Sequence, residues 1–522
     1  MKFSDILARF TSRQRNLIFA VGVVVLFILY TYGLTRNPPG FYIDESAFAY
    51  NAYLIARTGT SEFGVRWPLF FQNFTAPFTT YANPVAIYLL AAVNLVFPPS
   101  IWLSRFLSAT AEFSAALLLG LLALRISRRR AIGVIVACMA LVTPWLFEVG
   151  RLYFDSSFYP LVLALFLLAL HSAAGRERWT WPDALKIGIA LGLLTYTYTI
   201  GRLLAPLLAI GLVVFAVNRR RLIDLMKVWI IYGLTLIPLF VFNVRHPGLL
   251  TSRFMLISYV RKEPDLAAIL SRFIFRYFQD LSLVGLLTAG DVNARHHVPD
   301  ANGSVLIAPL LLSLLGIVIV ISYRRRDSLW RFIIFATLVA VVPGALTVDA
   351  FHTGRMIAYE IFLLVLMVPA LEWLYEIAGT NRAKGIEAAQ LPTTDGGGLG
   401  SRQALLIGLL LATAMQAAYF QVIFWRDGPK RALALDAGYK AVYDVAVSMP
   451  SRPIYLEDGY YGPAYIHAFW YATLEGRSTS EFVHLEKGAL PPSGALVISS
   501  ENDCETCEVV FRSEQYMLYR EF

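Results

Sequence analysis

The sequence contains few charged residues and few cysteines. Only 16% of its 522 residues are charged, and it has three cysteines. Soluble globular proteins average about 25% charged residues, and disulfide scaffolds need several paired cysteines. The hydrophobic fraction is instead 57%, and the mean hydropathy is +0.58. These values exclude a water-soluble enzyme, a disordered protein and a disulfide scaffold, and they predict a multi-pass membrane protein.

Apolar stretches of about spanning length recur along the chain and predict an all-α polytopic bundle of about 11 transmembrane helices. The first, residues 17–34, follows a basic leader without a good cleavage site, so we expect an uncleaved helix. The others lie near residues 101–125, 131–147, 157–174, 183–200, 202–217, 225–243, 304–323, 330–346, 356–377 and 403–423.

The stretch at residues 83–99 decides the topology. It has only 13 residues between Pro84 and Pro98, whereas a span needs about 20. If it lies flat in the interface, the basic clusters of all internal loops face the cytoplasm, as the positive-inside rule favours. The net charge of +9 is concentrated there. We therefore expect a plasma-membrane protein with a cytoplasmic N-terminus, and with the following segments outside: 35–100, 148–156, 244–303 and 424–522.

The predicted domains are a transmembrane domain, 1–423, and a small extracytoplasmic α/β domain, 424–522. The second alternates strand-like segments, such as RPIYLED and GALVISS, with a helical segment at 462–474. Cys504 and Cys507 are spaced as CxxC and could form a disulfide, but two cysteines are too few for a structural zinc site. The internal loop 378–402 is typical of a flexible linker.

Two adjacent carboxylates, Asp44 and Glu45, follow the first helix. Repulsion and partial desolvation would raise a carboxyl pKa there, so one of them could act as a general base on an incoming hydroxyl. Both would also suit the first turn of an interfacial helix. The spacing alone leaves both interpretations open.

Several arginines lie near the predicted outer ends of the helices, where they could bind a phosphate without a metal. They could also be ordinary interfacial arginines that extend toward lipid phosphates. Arg202 and Arg355 are favoured as phosphate ligands because polar and aromatic residues surround them. The other substrate-binding candidates are Arg105, Asp155, Tyr198, Asp291 and His352, with Arg151 and Arg295 as weaker ones.

Most of these residues also have a simpler interpretation. Asp155 could pair with Arg151, and Tyr198, like Tyr196, could belong to the aromatic belt. Adjacent histidines rarely direct both rings at one ion, so we expect no metal and a solvated loop at the following residues: Asp291, His296 and His297.

Three further features lie within or beside the predicted spans. Glu112 and Glu360 fall inside spans, where they could form a proton relay, but a hydrogen bond to a neighbouring helix or a protonated acid is the simpler account. The segment 264–283 could be an interfacial helix that gates a lipid groove, or it could merely cover the bundle.

These motifs together resemble the membrane glycosyltransferases of the GT-C fold, in the branch of protein O-mannosyltransferases and aminoarabinose transferases. The resemblance covers about residues 17–370. It rests on DE after the first helix and on NPVAIYLLA, SRFLSATAEF, GRLYFDSSFYPLVLALFLLAL, TYTYTIGRLLAPLL and ALTVDAFHTGRMI. Many relatives carry a Lys/His-Pro-Pro-Leu-type sequence where this chain has YANPVAIY, so we transfer no contact from that motif.

The resemblance implies an inverting transferase that moves one sugar from a polyprenyl phosphate to the hydroxyl of a glycan, lipid or protein. It implies no cofactor beyond the lipid-linked sugar, and no nucleic-acid partner is indicated. Asp44 would be the base, Glu45 would assist, and Asp155 would contact sugar or acceptor. The alternative is a lipid or solute transporter or flippase. Transporters bind at mid-membrane and often contain internal repeats, whereas no repeat is obvious here.

Overall fold

The structure is a computed structural model that describes residues 11–375, 399–459, 462–486, 489–501 and 507–522. Its main part is a helical bundle, since long apolar runs satisfy their backbone hydrogen bonds within helices when no water is near. Within the described residues, six helices are long and apolar enough to cross a membrane. The predicted membrane location agrees with this finding.

A helix occupies each of the segments predicted to be spans. Several of these helices are shorter than a span, so the count of eleven stays a prediction. The bundle helices are Ser12–Tyr30, Ile101–Ser127, Arg130–Val142 with Pro144–Val149, Tyr159–Ala174, Trp181–Thr197, Gly201–Gly211, Arg219–Arg245, Ile307–Tyr323, Ser328–Val339 with Val342–Ala345, Thr353–Tyr375 and Leu399–Asp427.

The loops at one end of the bundle form what we call the loop face, which comprises residues 35–100, 148–158, 198–201, 244–306 and 346–352. Its short helices are Ile43–Thr58, Pro84–Asn94, Leu249–Ile257 and Leu266–Asp280, and strands β1 (Phe71–Asn73) and β2 (Thr80–Ala82) pair antiparallel. Pro84–Asn94 has 11 residues, which is about 16 Å of helix and too little to cross a bilayer of about 30 Å. It packs against Ile43–Thr58 instead.

The C-terminal part contains helices Tyr439–Ser448 and Tyr465–Leu474 and a five-stranded sheet. The sheet order is β4-β3-β5-β7-β6, and β3 runs parallel to β4 and β5 while the other pairs are antiparallel. These elements confirm the predicted strands and the helix within 462–474. The strands are β3 (Ile454–Glu457), β4 (Phe482–His484), β5 (Leu496–Ser499), β6 (Cys507–Arg512) and β7 (Met517–Glu521).

The predicted boundary at 423 falls inside the last bundle helix, which continues to Asp427. Most of the predicted linker, residues 378–398, lies outside the described residues, as does Cys504. The sheet domain and the loop face share one hydrophobic core, in which Phe41 stacks on Trp470 at 5.8 Å. The C-terminal domain is therefore packed directly onto the loop face.

Candidate active site

Asp44 and Glu45 lie in the first turn of the helix Ile43–Thr58 but differ in their surroundings. Glu45 is fully buried, and its carboxylate accepts a hydrogen bond from the Tyr42 backbone N–H at 3.0 Å, which caps one N–H at the start of the helix. Asp44 is partly exposed, and no residue in the described part of the chain donates a hydrogen bond to its carboxylate. The capping interpretation therefore fits Glu45, whereas Asp44 stays available.

Arg105 is fully buried and donates two hydrogen bonds to Glu45, at 2.9 and 2.8 Å. Its remaining N–H groups donate to the backbone carbonyls of Leu34, Pro38 and Gly40. Arginine has five N–H donors, so none is left for a phosphate. The contacts of Arg105 therefore correct the expectation that it binds substrate: it fastens the first loop to the bundle.

Arg151 does not form the ion pair with Asp155 that the sequence offered as an alternative. Its guanidinium lies over three aromatic rings and donates to backbone carbonyls of the first helix and first loop. The rings belong to Phe147, Phe424 and Trp425, and the carbonyls to Tyr30, Tyr32 and Asn37. Like Arg105, it is an anchoring residue.

Arg253, on the short helix Leu249–Ile257, interacts electrostatically with Asp44. Burial alone would lower the pKa of its guanidinium, but Asp44, together with its neighbours Tyr42, Tyr198 and Asp155, raises it. Arg253 is nevertheless solvent-accessible, and no described residue accepts a hydrogen bond from it. The Arg253 guanidinium therefore lies near acidic groups but has N–H donors that no described residue uses.

Asn83 connects Asp155 to Arg202. Its side-chain amide donates to the Asp155 carboxylate at 2.9 Å and to the Thr199 hydroxyl at 3.0 Å, and its oxygen accepts from Arg202 at 2.8 Å. Asn83 belongs to the YANPVAIY segment, from which we transferred no role. In this chain it is a buried bridge between two predicted site residues.

Arg202 also reaches the helix that carries Arg253. It donates to the backbone carbonyl of Leu250 at 2.9 Å, and its guanidinium lies 4.8 Å from the centroid of the Phe70 ring. Its Nε is buried without a partner among the described residues. The Arg202 side chain is thus held in place by two of its five N–H donors, and the other three have no acceptor among the described residues.

Arg355 lies in the first turn of the helix Thr353–Tyr375, and Tyr198, which follows the helix Trp181–Thr197, contacts this turn. Arg355 donates through Nη1 to Thr347 at 2.8 Å and to Asp349 at 2.6 Å, which leaves Nε and Nη2 without an acceptor among the described residues. The Tyr198 hydroxyl lies against Gly354, where a Cβ would be 3.4 Å away. We call the following residues the open cluster: Asp44, Asp155, Tyr198, Arg202, Arg253 and Arg355.

Tyr196 and Tyr198, which the sequence analysis considered as members of an aromatic belt, lie in different surroundings. Tyr196 donates to the Thr235 carbonyl at 2.8 Å, so its hydroxyl is used inside the bundle. Tyr198 instead interacts electrostatically with Arg253. The Arg295 guanidinium stacks on the Tyr42 ring, 3.6 Å from its centroid. Because Tyr42 interacts electrostatically with Arg253, Arg295 lies at the border of the open cluster.

The adjacent histidines point apart, as the sequence argument expected. His297 contacts Glu148 at 2.6 Å and the Asn302 carbonyl at 2.7 Å, whereas His296 contacts Asp291 at 3.1 Å. The expectation of a solvated loop is wrong, because Asp291 and His297 are buried. A third residue, His352, lies beside His296, with ring centroids 4.6 Å apart.

Two further predictions concern charges in or beside the bundle. Both carboxylate oxygens of Glu112 are buried without a hydrogen-bond partner among the described residues, so the expected bond to a neighbouring helix is absent and a protonated acid remains. The predicted interfacial helix forms as Leu266–Asp280. It buries the ion pair Arg276–Asp280 and exposes an apolar side that includes Leu270, Ile274 and Phe278.

The C-terminal domain holds the start of the helix that carries Asp44. The Asp436 carboxylate accepts a hydrogen bond from the Ile43 backbone N–H at 2.9 Å and lies 3.3 Å from His467. The other nitrogen of His467 contacts the Ser46 hydroxyl at 2.8 Å. All four residues are buried, so the domain fixes the position of the helix end next to Asp44.

The fold is that of GT-C membrane glycosyltransferases. A structure of ArnT from Cupriavidus metallidurans bound to undecaprenyl phosphate is similar over 98% of both chains, at 12% identity and a TM-score of 0.54. The apo structure of ArnT from the same organism is similar over 97% of this chain and 98% of ArnT, at 14% identity and a TM-score of 0.52.

AglB, an oligosaccharyltransferase from Archaeoglobus fulgidus in complex with an inhibitory peptide and a dolichol-phosphate, is also similar. The match covers 88% of this chain and 64% of AglB, at 14% identity and a TM-score of 0.50. No family model and no curated protein matches the sequence. At these identities the likeness shows the shared fold.

The structure thus brings Asp44, Asp155, Tyr198, Arg202 and Arg355 to one place. Sequence reasoning missed Arg253, Asn83, Asp436 and His467. Arg253 lies in SRFMLI without a recognisable motif, although its position in an outer loop was a weak signal. The other three act through contacts with residues distant along the chain, which a single sequence does not reveal.

Proposed function

We propose that the protein is an inverting membrane glycosyltransferase that uses a polyprenyl-phosphate sugar and acts at the loop face. The observation that carries this proposal is the Asp44 carboxylate, to which no described residue donates a hydrogen bond and which interacts electrostatically with the Arg253 guanidinium. A carboxylate that is free to accept a proton can act as a general base, and a nearby guanidinium with unused N–H donors can stabilise a phosphate leaving group. The shared fold with ArnT, whose structure contains undecaprenyl phosphate, supports this assignment.

In the proposed reaction, Asp44 accepts the proton of the acceptor hydroxyl. The hydroxyl oxygen forms a bond to the anomeric carbon, and the bond from that carbon to the phosphate oxygen breaks. The electron pair of the broken bond leaves with the polyprenyl phosphate. Attack opposite the leaving group inverts the anomeric centre. Asp155, oriented by Asn83, would bind sugar or acceptor hydroxyls.

The leaving phosphate would be bound by arginines of the open cluster. Arg253 offers all its donors, while Arg355 and Arg202 offer those that their protein contacts leave unused. Charge-assisted hydrogen bonds of this kind are short and strong. Arg105 was predicted from the sequence to bind substrate, and we assign that role to Arg253 instead. Glu45 and Arg105, which bind each other, act as a positioning pair.

The membrane orientation and the lipid path complete the proposal. Basic clusters such as Arg219-Arg220-Arg221 lie at the end of the bundle opposite the loop face, so the positive-inside rule places the loop face outside. The exposed apolar side of the helix Leu266–Asp280 would line the path of the polyprenyl chain.

The test is Asp44→Asn in purified full-length protein, supplied with radiolabelled polyprenyl-phosphate sugars and candidate acceptors. We expect turnover to fall by roughly 10²–10⁴-fold, because the base is lost, while donor binding and thermal stability persist. Asp444→Asn, an exposed substitution in the C-terminal domain, is the matched control. Wild-type turnover by Asp44→Asn would contradict the role of Asp44. Substrate flux into liposomes without sugar consumption would instead favour a transporter.

A further inference from the structure

Three potential metal ligands meet at the edge of the open cluster. One ligand atom each from Asp291, His296 and His352 lies within 4.8 Å of the other two. Asp291 and His296 belong to the loop 244–306, whereas His352 directly precedes the helix Thr353–Tyr375. The three residues therefore come from two segments that are separated by about 60 positions in the sequence.

The Asp291 carboxylate is fixed by contacts that orient it toward the histidines. One oxygen accepts from the Asn293 backbone N–H at 2.9 Å, and the other accepts from the backbone N–H and hydroxyl of Thr353, both at 2.8 Å. Second contacts of this kind are typical of carboxylates that bind metals, since they hold the ligand in place. The Asp291 side chain is 2% exposed, so it contributes a poorly solvated negative charge.

The two imidazoles are suited to coordination. His352 lies beside His296, with their ring centroids 4.6 Å apart. Apart from a long contact of 3.4 Å from the Arg355 backbone, no described residue occupies its nitrogens. His296 is 11% exposed, so a solute ion can reach it.

We propose that Asp291, His296 and His352 bind a divalent transition-metal ion of the Zn²⁺ class. Two imidazoles and one carboxylate favour zinc and its neighbours over Mg²⁺ or Ca²⁺, which prefer all-oxygen sites. A modest contraction of the cluster would bring the ligand atoms to coordination distances of about 2.0–2.2 Å. The sequence analysis expected no metal at Asp291, His296 and His297, and the proposed set replaces His297, which contacts Glu148, with His352.

The bound ion would join the loop 244–306 to the start of the helix Thr353–Tyr375. Arg295 precedes His296 and stacks on Tyr42, and Arg355 follows His352 by one helical turn. An ion held between the two histidines would therefore fix both arginines beside Asp44. This positioning role rests on the proposed function, whereas the metal site itself does not.

The test is metal content of the purified full-length protein after chelator treatment and exposure to ZnCl₂ alone, with MgCl₂ alone in a parallel sample. We expect about one Zn²⁺ per chain, no retained Mg²⁺, and a rise in melting temperature with zinc. His352→Ala and His296→Ala should each lose the bound zinc. His246→Ala, which removes an exposed histidine elsewhere in the same loop, is the control and should retain it.

Zinc content that is equal in the wild type, His352→Ala and His296→Ala would overturn the proposal, and so would zinc that does not exceed background. Where an alanine variant fails to fold, Co²⁺ titration of the wild type replaces it. Visible absorption typical of nitrogen and oxygen ligands would support the site, and a spectrum of free aqueous Co²⁺ would refute it. Asp44→Asn should still bind zinc, so failure of the transferase assignment and failure of the metal site are distinguishable.

Discussion

Two groups of charged residues lie in or beside the loop face, and they differ in how completely the protein pairs them. In the first group, which we call the anchoring group, every charge is buried and bonded to the protein; its members are Glu45, Arg105, Glu148, Arg151 and Arg431. In the open cluster, Asp44 and Arg253 have no hydrogen-bond partner among the described residues. A guanidinium with five protein acceptors fixes the backbone, whereas one with unused donors is available to a ligand.

The contrast is sharpest between Asp44 and Glu45. Successive residues of an α-helix point about 100° apart, so two neighbouring carboxylates can face different surroundings. Glu45 faces the interior and Arg105, while Asp44 faces the open cluster. One turn of helix thus supplies both a structural carboxylate and a candidate base.

The largest predicted effect is the loss of folding stability in Arg105→Ala, which tests whether the anchoring group differs from the open cluster. Removing one partner leaves the Glu45 charge buried and unpaired, which costs about 3–5 kcal/mol. We expect a large loss of thermal stability in detergent-solubilised protein and poor accumulation in membranes. Arg253→Ala is the matched control and should melt like the wild type. Equal stability of the two variants would show that the anchoring group is not a distinct structural element.

A smaller effect is expected for Arg253→Ala, measured as affinity for the lipid donor. Loss of a charge-assisted hydrogen bond costs about 1.5–3 kcal/mol, which corresponds to a dissociation constant that is roughly 10- to 150-fold higher. Binding of labelled polyprenyl phosphate to purified protein measures this change. Lys430→Ala, which removes an exposed cation near the last bundle helix, should bind normally. Unchanged affinity in Arg253→Ala would remove Arg253 from the phosphate site.

A third effect concerns Glu62, which is mostly buried but pairs with a neutral group. The Tyr465 hydroxyl donates to it at 2.5 Å, and burial raises the pKa of Glu62 to about 7 although this bond opposes the rise. The folded protein therefore holds the proton more tightly than the unfolded chain. Stability should fall as pH rises from about 4.5 to 7, by at most about 1.4 kcal/mol per pH unit.

Thermal unfolding between pH 5 and 8 measures this dependence, and Glu62→Gln should flatten it. Glu521→Gln, a substitution in the last strand of the C-terminal domain, should leave the profile unchanged. A pH profile shared by the wild type and Glu62→Gln would show that the contact between the first loop and the C-terminal domain does not depend on this proton.

Much of the fold could be predicted from the sequence because the signals are local. Apolar length gave the bundle helices, and alternation gave strands such as Ile454–Glu457. The site was predicted less completely, since pairing depends on residues that are distant in the chain. Asp44 and Glu45 look alike in the sequence, and Arg105 looks like any interfacial arginine. Their roles became distinct only when the partners of each, such as the carbonyls of Leu34 and Pro38, were known.

The contact of Asp436 with Ile43 also sets an order of events during synthesis. The two residues are 393 positions apart, which is roughly 20–80 s of translation at 5–20 residues per second. Throughout that interval the helix that carries Asp44 exists without the carboxylate and the histidine that fix its first turn. The site next to the membrane is therefore assembled by the segment of the described chain that is made last.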